Sequence, residues 1–229
     1  MKINNIYTDS YDNRRSGYFS FNALAFFTIL LLLYLGLLYY SNTSFLTDSV
    51  YYNSYSGSVA GSGIARIIGI KNKFIWISYI LFPAILYVKL IFSSVCIKTR
   101  LVLSNTNLDW KTIFRIVLFS ELAFLLSALA KVIILTFFKG VNTLNDVQLY
   151  TPFSLYGLFS SPSIVPKYLI YPLQAFNLFE LLYWVLLSFG LSTCLKINFA
   201  RSFLLVLTSY GIGLLFWILF LMFITISYS

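Results

Sequence analysis

Histidine is absent from this sequence, cysteine occurs twice, and the 229 residues include only seven acidic side chains. Without imidazole, histidine-based zinc sites, serine–histidine–aspartate triads and cysteine–histidine pairs have no sequence support. The seven acids do not cluster along the chain. We therefore expect no enzymatic activity, no catalytic residue, no metal site and no cofactor.

Charge of either sign is also scarce, at 10% of residues, whereas 59% are hydrophobic and the mean hydropathy is +0.84. Soluble domains carry charge on roughly a quarter of their residues, so this composition indicates a polytopic membrane protein. Lysine and arginine outnumber acids by 16 to 7. Because these cations are scattered between apolar runs, they predict membrane topology and not nucleic-acid binding.

Five apolar runs are long enough to cross a bilayer, which needs about 20 residues of helix. They cover residues 19–40, 74–97, 113–138, 176–195 and 203–226. The predicted fold is all-α, a transmembrane bundle of five helices. It forms a single domain over residues 19–229, after a short cytoplasmic tail over residues 1–18.

The cations predict the orientation of these helices, because lysine and arginine concentrate on the cytoplasmic side of membranes. A cytoplasmic N-terminus places nine cations inside and five outside, and it leaves the C-terminus outside. The inner set is Lys2, Arg14, Arg15, Lys98, Arg100, Lys111, Arg115, Lys196 and Arg201, and the outer set is Arg66, Lys71, Lys73, Lys139 and Lys167. Cys96 and Cys194 then lie near inner helix ends, where reducing conditions disfavour a disulfide.

Two segments outside the spans have unusual patterns. Residues 150–176 contain four of the five prolines and many aromatic residues, so we expect a compact interfacial loop between helices three and four. The run "IARIIGIKNKF" over residues 64–74 follows a glycine-rich stretch. It predicts a short amphipathic turn at the interface before the second helix.

Two charges within the apolar runs match in depth. Lys89 lies eight positions before the end of the second predicted helix, and Glu121 lies eight positions after the start of the third. At 1.5 Å per residue, both lie about 12 Å into the membrane. An unpaired charge there costs at least about 2.5 kcal/mol, which favours an ion pair. The pair either fixes the register of two helices or forms part of a path for a proton or polar solute; we favour the first.

The fourth helix begins with a capping pattern. Asn177 followed by Glu180 predicts a capping box, in which each side chain bonds the other residue's backbone amide, and this is favoured over a transport role for Glu180. Further along, Ser188 and Ser192 lie at a depth similar to Ser209 and Gly213 across the turn. Such small-residue pairs predict close packing of helices four and five.

The segment "FNLFELLYWVLLSFGLSTCLKINFARSFLLVLTSYGIGLLFWILFLMFI" resembles the Yip (Yip1-domain) family of membrane proteins, and the likeness extends over about residues 104–229. The resemblance implies five helices ending in a hairpin, and it implies no catalytic residues. Eukaryotic members carry an acidic element before the membrane and a glycine–tyrosine–serine–leucine stretch in helix three, where this chain has "VLFSELAFLLS". That departure argues against small-GTPase partners and favours a bacterial relative in the inner membrane.

Together these observations predict a non-enzymatic scaffold or partner subunit of a membrane complex, acting in membrane trafficking or in the cell envelope. Its expected partners are the lipid bilayer and either another membrane protein or further copies of itself. The alternative is a small transporter subunit that uses the polar stripe around Lys89 and Glu121.

Overall fold

The computed structural model describes residues 21–159 and 165–228, and this part of the chain is helical, with no strand. Ser154 and Asn177 form an isolated antiparallel bridge between two loops. The expected tail over residues 1–18, the first two residues of the first predicted span, Pro162 and Ser229 lie outside the described residues.

Five helices are long and apolar enough to cross a membrane, which confirms the predicted all-helical architecture for the described ranges. We call them the first to fifth spans. They are α1 (Ala23–Ser44), α3 (Gly61–Leu103), a third span over Trp110–Lys139, α8 (Leu178–Leu195) and a fifth span over Phe199–Ser227. The third span comprises α4 (Trp110–Ser120), α5 (Leu122–Ile134) and a π-helical turn (Leu135–Lys139). The fifth comprises α9 (Phe199–Val206), a π-helical turn (Leu207–Gly211) and α10 (Ile212–Ser227).

The second span differs from its prediction at its start. The expected interfacial turn over residues 64–74 is wrong, because these residues continue directly into the span within the 43 residues of α3. Ile64 and Ile68 are buried there, and Lys71 lies over the ring of Tyr51 in a short helix, α2 (Asp48–Tyr55), that the sequence did not indicate. The Lys71 ammonium donates to the Leu46 carbonyl oxygen at 2.6 Å. At 1.5 Å per residue, α3 is roughly 64 Å long, about twice the hydrocarbon thickness.

The connection between the third and fourth spans contains three short helical elements. These are α6 (Leu144–Gln148), a 3₁₀ turn (Leu155–Leu158) and α7 (Lys167–Ala175). The Tyr171 hydroxyl accepts a hydrogen bond from Trp217 Nε1 at 3.1 Å, which ties α7 to α10. A position at the membrane interface stays a prediction for this proline-rich connection.

Side chains from the second, third and fourth spans form the centre of the core. The fully buried apolar members include Leu90, Ile97, Ile113, Ile116, Val117, Leu187 and Leu191. A glycine brings two of these spans together, because a Cβ on Gly190 would lie only 2.5 Å from Ile116 Cγ2. The core therefore holds the third and fourth spans at close range around the residues described next.

Candidate functional site: an ion pair in the helical core

Lys89 and Glu121, which the depth count predicted to meet, lie together in the structure. Lys89 Nζ donates to Glu121 Oε1 at 2.7 Å. The Glu121 side chain is 2% exposed and the Lys89 side chain 34% exposed. The carboxylate is therefore inside the helical core, while the lysine reaches it from the edge of the second span.

Two aromatic rings enclose the ammonium group. Lys89 Nζ lies 3.3 Å from the centre of the Phe124 ring and 5.7 Å from that of Tyr183. The two rings are themselves 4.9 Å apart. An ammonium over an aromatic face is attracted by the ring's negative charge density, more strongly away from water. Three spans therefore contribute to holding the single positive charge.

Glu121 occupies the junction between α4 and α5. Its carbonyl oxygen accepts from the amides of Phe124 and Leu125, at 3.1 and 3.2 Å. The first of these bonds spans three residues and the second spans four, so the helix tightens locally at Glu121. The charged residue thus lies where the backbone departs from regular α-helix.

Three polar atoms in this part of the core lack a hydrogen bond of ordinary geometry to any described residue. They are Glu121 Oε2, Ser93 Oγ and Tyr183 Oη, all fully buried. The Ser93 and Tyr183 hydroxyl groups nevertheless approach each other. Buried polar atoms nearly always find a partner in native proteins, so a group of three is a functional candidate.

Of the two hydrogen bonds in the capping box predicted at Asn177 and Glu180, the structure has the first and not the second. Asn177 Oδ1 accepts from the Glu180 amide at 2.9 Å, as a capping residue does. The Glu180 carboxylate does not reach back to the Asn177 amide; it accepts from Trp184 Nε1 at 2.8 Å. Trp184 lies one helical turn further on, so this bond forms along the buried face of α8.

Glu180 therefore belongs to the surroundings of the ion pair, which the sequence did not predict. It is buried, makes a hydrogen-bonding contact with Tyr210 and lies close enough to Lys89 and Glu121 to interact electrostatically with both. The Tyr210 ring lies 5.1 Å from that of Tyr183. The signal in the sequence is the spacing of Glu180, Tyr183 and Trp184, which places all three on one face of a helix.

The four small residues predicted to pack the fourth and fifth spans together do not all do so. Ser188 is fully buried, and its carbonyl oxygen accepts from the Ser202 hydroxyl at 2.7 Å, which joins the fourth and fifth spans. The Ser192 and Ser209 hydroxyls donate to carbonyl oxygens of their own helices, those of Phe189 and Leu205. The fourth residue, as described next, does not pack in the predicted hairpin.

Gly213 packs against the second span and not against the fourth. A Cβ on Gly213 would lie 2.7 Å from Cys96 Sγ and 3.3 Å from the Phe92 ring. Depth along a helix, which the sequence supplies, does not fix which neighbour a helical face meets. The glycine that lies at the contact between the fourth and fifth spans is Gly211, where a Cβ would lie 3.6 Å from the Trp184 ring.

A cavity of about 360 Å³ lies between the fourth and fifth spans. Its lining is nearly all apolar: Phe176, Trp184, Leu207, Thr208, Gly211, Ile212, Leu214, Leu215 and Ile218. The Thr208 hydroxyl already donates to Leu204 O and accepts from Arg100 Nε. This cavity therefore offers no polar surface that would suit a charged solute.

No protein-family model, no curated protein and no solved structure matches this chain. Membership of the Yip family accordingly stays a prediction. Across residues 21–159 and 165–228, no three cysteine, aspartate or glutamate side chains gather where a metal ion could bind, and both thiols are free. The ion pair and the buried residues around it remain the candidate site.

Proposed function

We propose that this chain is a non-enzymatic, integral membrane scaffold or partner subunit of Yip-like type, in which the Lys89–Glu121 ion pair fixes the arrangement of the helices. The proposed setting is the bacterial inner membrane, with the N-terminus in the cytoplasm and the C-terminus outside. The proposed process is membrane trafficking or assembly of the cell envelope, in a complex with another membrane protein or with further copies of the chain.

The observation that carries the proposal is the enclosed geometry of the pair. Glu121 is buried, Lys89 bonds it at 2.7 Å, and the Phe124 ring covers the ammonium. Fully buried aliphatic side chains, including Leu90, Ile116 and Val117, belong to the core cluster against which Phe124 packs. A charge pair within a filled core is well suited to fix register, which is the best-attested role of buried polar groups.

The free-energy cost of an unpaired charge makes the fold depend on the ion pair. Either charge alone would cost about 2.5 to 3.5 kcal/mol at the centre of a membrane helix on insertion scales. Removing one partner of a buried pair typically destabilises a protein by about 3 to 5 kcal/mol. A scaffold that depends on this pair should therefore lose its binding surface when one charge is removed and regain it when both are removed.

Co-purification in mild detergent tests the proposal. A tagged chain should bring down a stoichiometric membrane partner, or form a defined oligomer. Lys89→Met should abolish that association and the combined Lys89→Met, Glu121→Gln change should restore it. Lys131→Met is the matched control, because Lys131 makes no ion pair with a described carboxylate. A wild-type chain that purifies as a monomer without a partner would contradict a scaffold role.

A small transporter subunit is the second candidate, and a specific observation favours it. Glu121 lies at the tightened junction of α4 and α5, and its own Oε2 is buried without a hydrogen-bond partner among the described residues. Discontinuous helices with ionisable residues are typical of transporter sites. A purified chain that moves protons or a polar solute across liposomes, and fails to do so after Glu121→Gln, would favour this candidate over the scaffold.

A further inference from the structure

Glutamate occurs only twice in the whole chain, at positions 121 and 180. Both side chains are buried, one in the third span and the other in the fourth. The two carboxylates are close enough to interact electrostatically. The other five acids are aspartates, and none of the three that the structure describes, Asp48, Asp109 and Asp146, acts on Glu180.

Tyrosine side chains connect the two carboxylates. The Tyr183 ring lies 5.7 Å from Lys89 Nζ on one side and 5.1 Å from the Tyr210 ring on the other. Tyr210 makes a hydrogen-bonding contact with Glu180, and Trp184 Nε1 donates to Glu180 Oε1 at 2.8 Å. The ion pair and Glu180 therefore form one continuous cluster, in which both carboxylates are buried and Lys89 is partly exposed.

The charges of this cluster do not balance. Among residues 21–159 and 165–228, the one ammonium that acts on the two carboxylates is that of Lys89, which bonds Glu121 directly. Other titratable groups of the described residues that interact with these side chains are the thiol of Cys96 and the phenols of Tyr34, Tyr171, Tyr183 and Tyr210. Phenol and thiol groups are ordinarily neutral at pH 7. With both glutamates ionised, the cluster would carry one uncompensated negative charge.

Unpartnered atoms give independent support for a ligand. Glu121 Oε2 is fully buried and makes no hydrogen bond to a described residue, and the Tyr183 hydroxyl has only the approach of Ser93. A closed structural network would satisfy these atoms, because leaving a buried polar atom unpaired is costly. Both atoms belong to the cluster that lacks one positive charge.

We propose that this cluster is a binding site for a single proton, held on Glu180, while Lys89 neutralises Glu121. A buried carboxylate without a cation is far less stable than the neutral acid, so a proton is the smallest ligand that balances the site. Trp184 Nε1 donates to Glu180 Oε1, and the Tyr210 side chain also contacts the carboxyl group, so both side chains orient it. Tyr210 and Trp184 are positioning residues, and Glu180 is the group that binds. The site does not depend on the scaffold proposal, since a scaffold and a transporter could each contain it.

Infrared spectroscopy with labelled glutamate tests this site directly. Cell-free synthesis with glutamate carrying ¹³C at the side-chain carboxyl marks residues 121 and 180 alone, because the chain has no other glutamate. A protonated carboxyl and a carboxylate absorb at well-separated frequencies. At pH 7 in nanodiscs, we expect one ¹³C-shifted carboxylic acid per wild-type chain, and one carboxylate.

Variants test the charge count, because they remove an acid, remove the paired lysine or leave the cluster unchanged. Glu180→Gln should remove the carboxylic acid band, and Glu121→Gln should remove it too, because Lys89 then compensates Glu180. Lys89→Met should double the band, since both glutamates must then bind a proton. Lys131→Met, the matched loss of a lysine in the third span, should leave one acid per chain. A band that survives Glu180→Gln would overturn the assignment to Glu180.

The wild-type spectrum alone also discriminates, so the test does not require that every variant folds. The spectrum is recorded in sodium chloride and again with sodium replaced by N-methylglucamine. An acid band in both buffers supports a proton site. A band that appears only without sodium would assign the site to a sodium ion and overturn the proposal, as would two carboxylates in both buffers. A negative co-purification experiment would leave the proton site standing, and a missing acid band would leave the scaffold standing.

Discussion

The ammonium group of Lys89 lies 3.3 Å from the centre of the Phe124 ring, one helical turn along the chain from the Glu121 carboxylate that it also binds. The third span therefore supplies both the counter-charge and an aromatic face for a lysine of the second span. This dual contact explains how a lysine that is one-third exposed stays directed toward the core and not toward the membrane surface.

Phe124→Leu should weaken this arrangement without removing the ion pair. Cation–π contacts contribute about 0.5 to 2 kcal/mol, so we expect a loss of that size in the free energy of unfolding. Reversible unfolding in mixed micelles provides the measurement. Phe137→Leu is the control, because Phe137 belongs to the same span but is exposed. Equal effects of the two changes would show that the Phe124 ring contributes only apolar area.

Gly190→Ala should separate the third and fourth spans. The new methyl group would lie 2.5 Å from Ile116 Cγ2, and Ile116 is fully buried. Overpacking of this kind typically costs about 1 to 3 kcal/mol. A thermal unfolding series should place this variant below the wild type and Gly36→Ala at or above it, because no atom lies within 4 Å of a Cβ at Gly36. An unchanged transition for Gly190→Ala would mean that Ile116 can move aside.

Asp146, outside the spans, should make the loop before α6 sensitive to acid. Burial alone raises the pKa of Asp146, but hydrogen bonds from the Thr143 amide and hydroxyl and from the Asn142 amide, together with Lys139, bring it below its ordinary value. A carboxyl with a depressed pKa stabilises the fold above its unfolded pKa of about 3.9, and this stabilisation is lost as the pH falls through the folded value.

Hydrogen exchange over residues 142–148 measures this effect. Asp146→Asn should speed exchange at pH 6, where the wild-type carboxylate is ionised, and the difference from the wild type should shrink as the pH falls below about 4. Asp48→Asn is the control, since Asp48 caps no loop in this segment. A difference that stays constant across this pH range would show that charge on Asp146 does not hold the loop.

Some of this structure follows from sequence arithmetic. The contact between Lys89 and Glu121 is predictable because the two residues lie at similar distances from the same short turn. In an antiparallel pair of helices, equal distances from the turn give equal depth. The same arithmetic did not identify the partner of Gly213, because the direction of a helical face depends on packing. It also did not predict that Glu180 lies near the ion pair, because Glu180 belongs to the fourth span, which is distant from Lys89 and Glu121 in the sequence.

The start of α3 shows a different limit of sequence reasoning. Glycines at positions 57, 61, 63 and 69 and three nearby cations indicated a loop and a separate turn. In the structure, Ile64 and Ile68 are buried, and Lys71 bonds the Leu46 carbonyl oxygen. Tertiary packing outweighs the cost of about 1 kcal/mol for each glycine inside a helix.

Cysteine labelling tests the proposed topology. In a background lacking Cys96 and Cys194, single cysteines replace Asn105, between the second and third spans, and Asn145 in α6; both asparagines are exposed. With the N-terminus inside, an impermeant reagent added to intact cells should label position 145 and spare position 105. The reverse pattern would place the N-terminus outside and overturn the inner location of both native thiols.

The ion pair itself provides the sharpest mutational test. Glu121→Gln removes the hydrogen-bonded partner of the Lys89 ammonium and Lys89→Met removes that of the Glu121 carboxylate, so each change should lower the free energy of unfolding. Loss of one partner from a buried pair costs about 3 to 5 kcal/mol, less whatever protonation relieves. Folded yield and unfolding in mixed micelles measure the loss, and the double variant should recover most of it.

The double variant then separates a structural role of the pair from a transport role. If the pair fixes helix register, Lys89→Met with Glu121→Gln restores both folding and partner binding, because two neutral side chains of similar size can pack where the ions lay. If Glu121 works in transport, the double variant folds but moves no solute in liposomes, because no ionisable carboxylate remains at position 121. Single variants with wild-type stability would show that the 2.7 Å contact does not hold the second and third spans together.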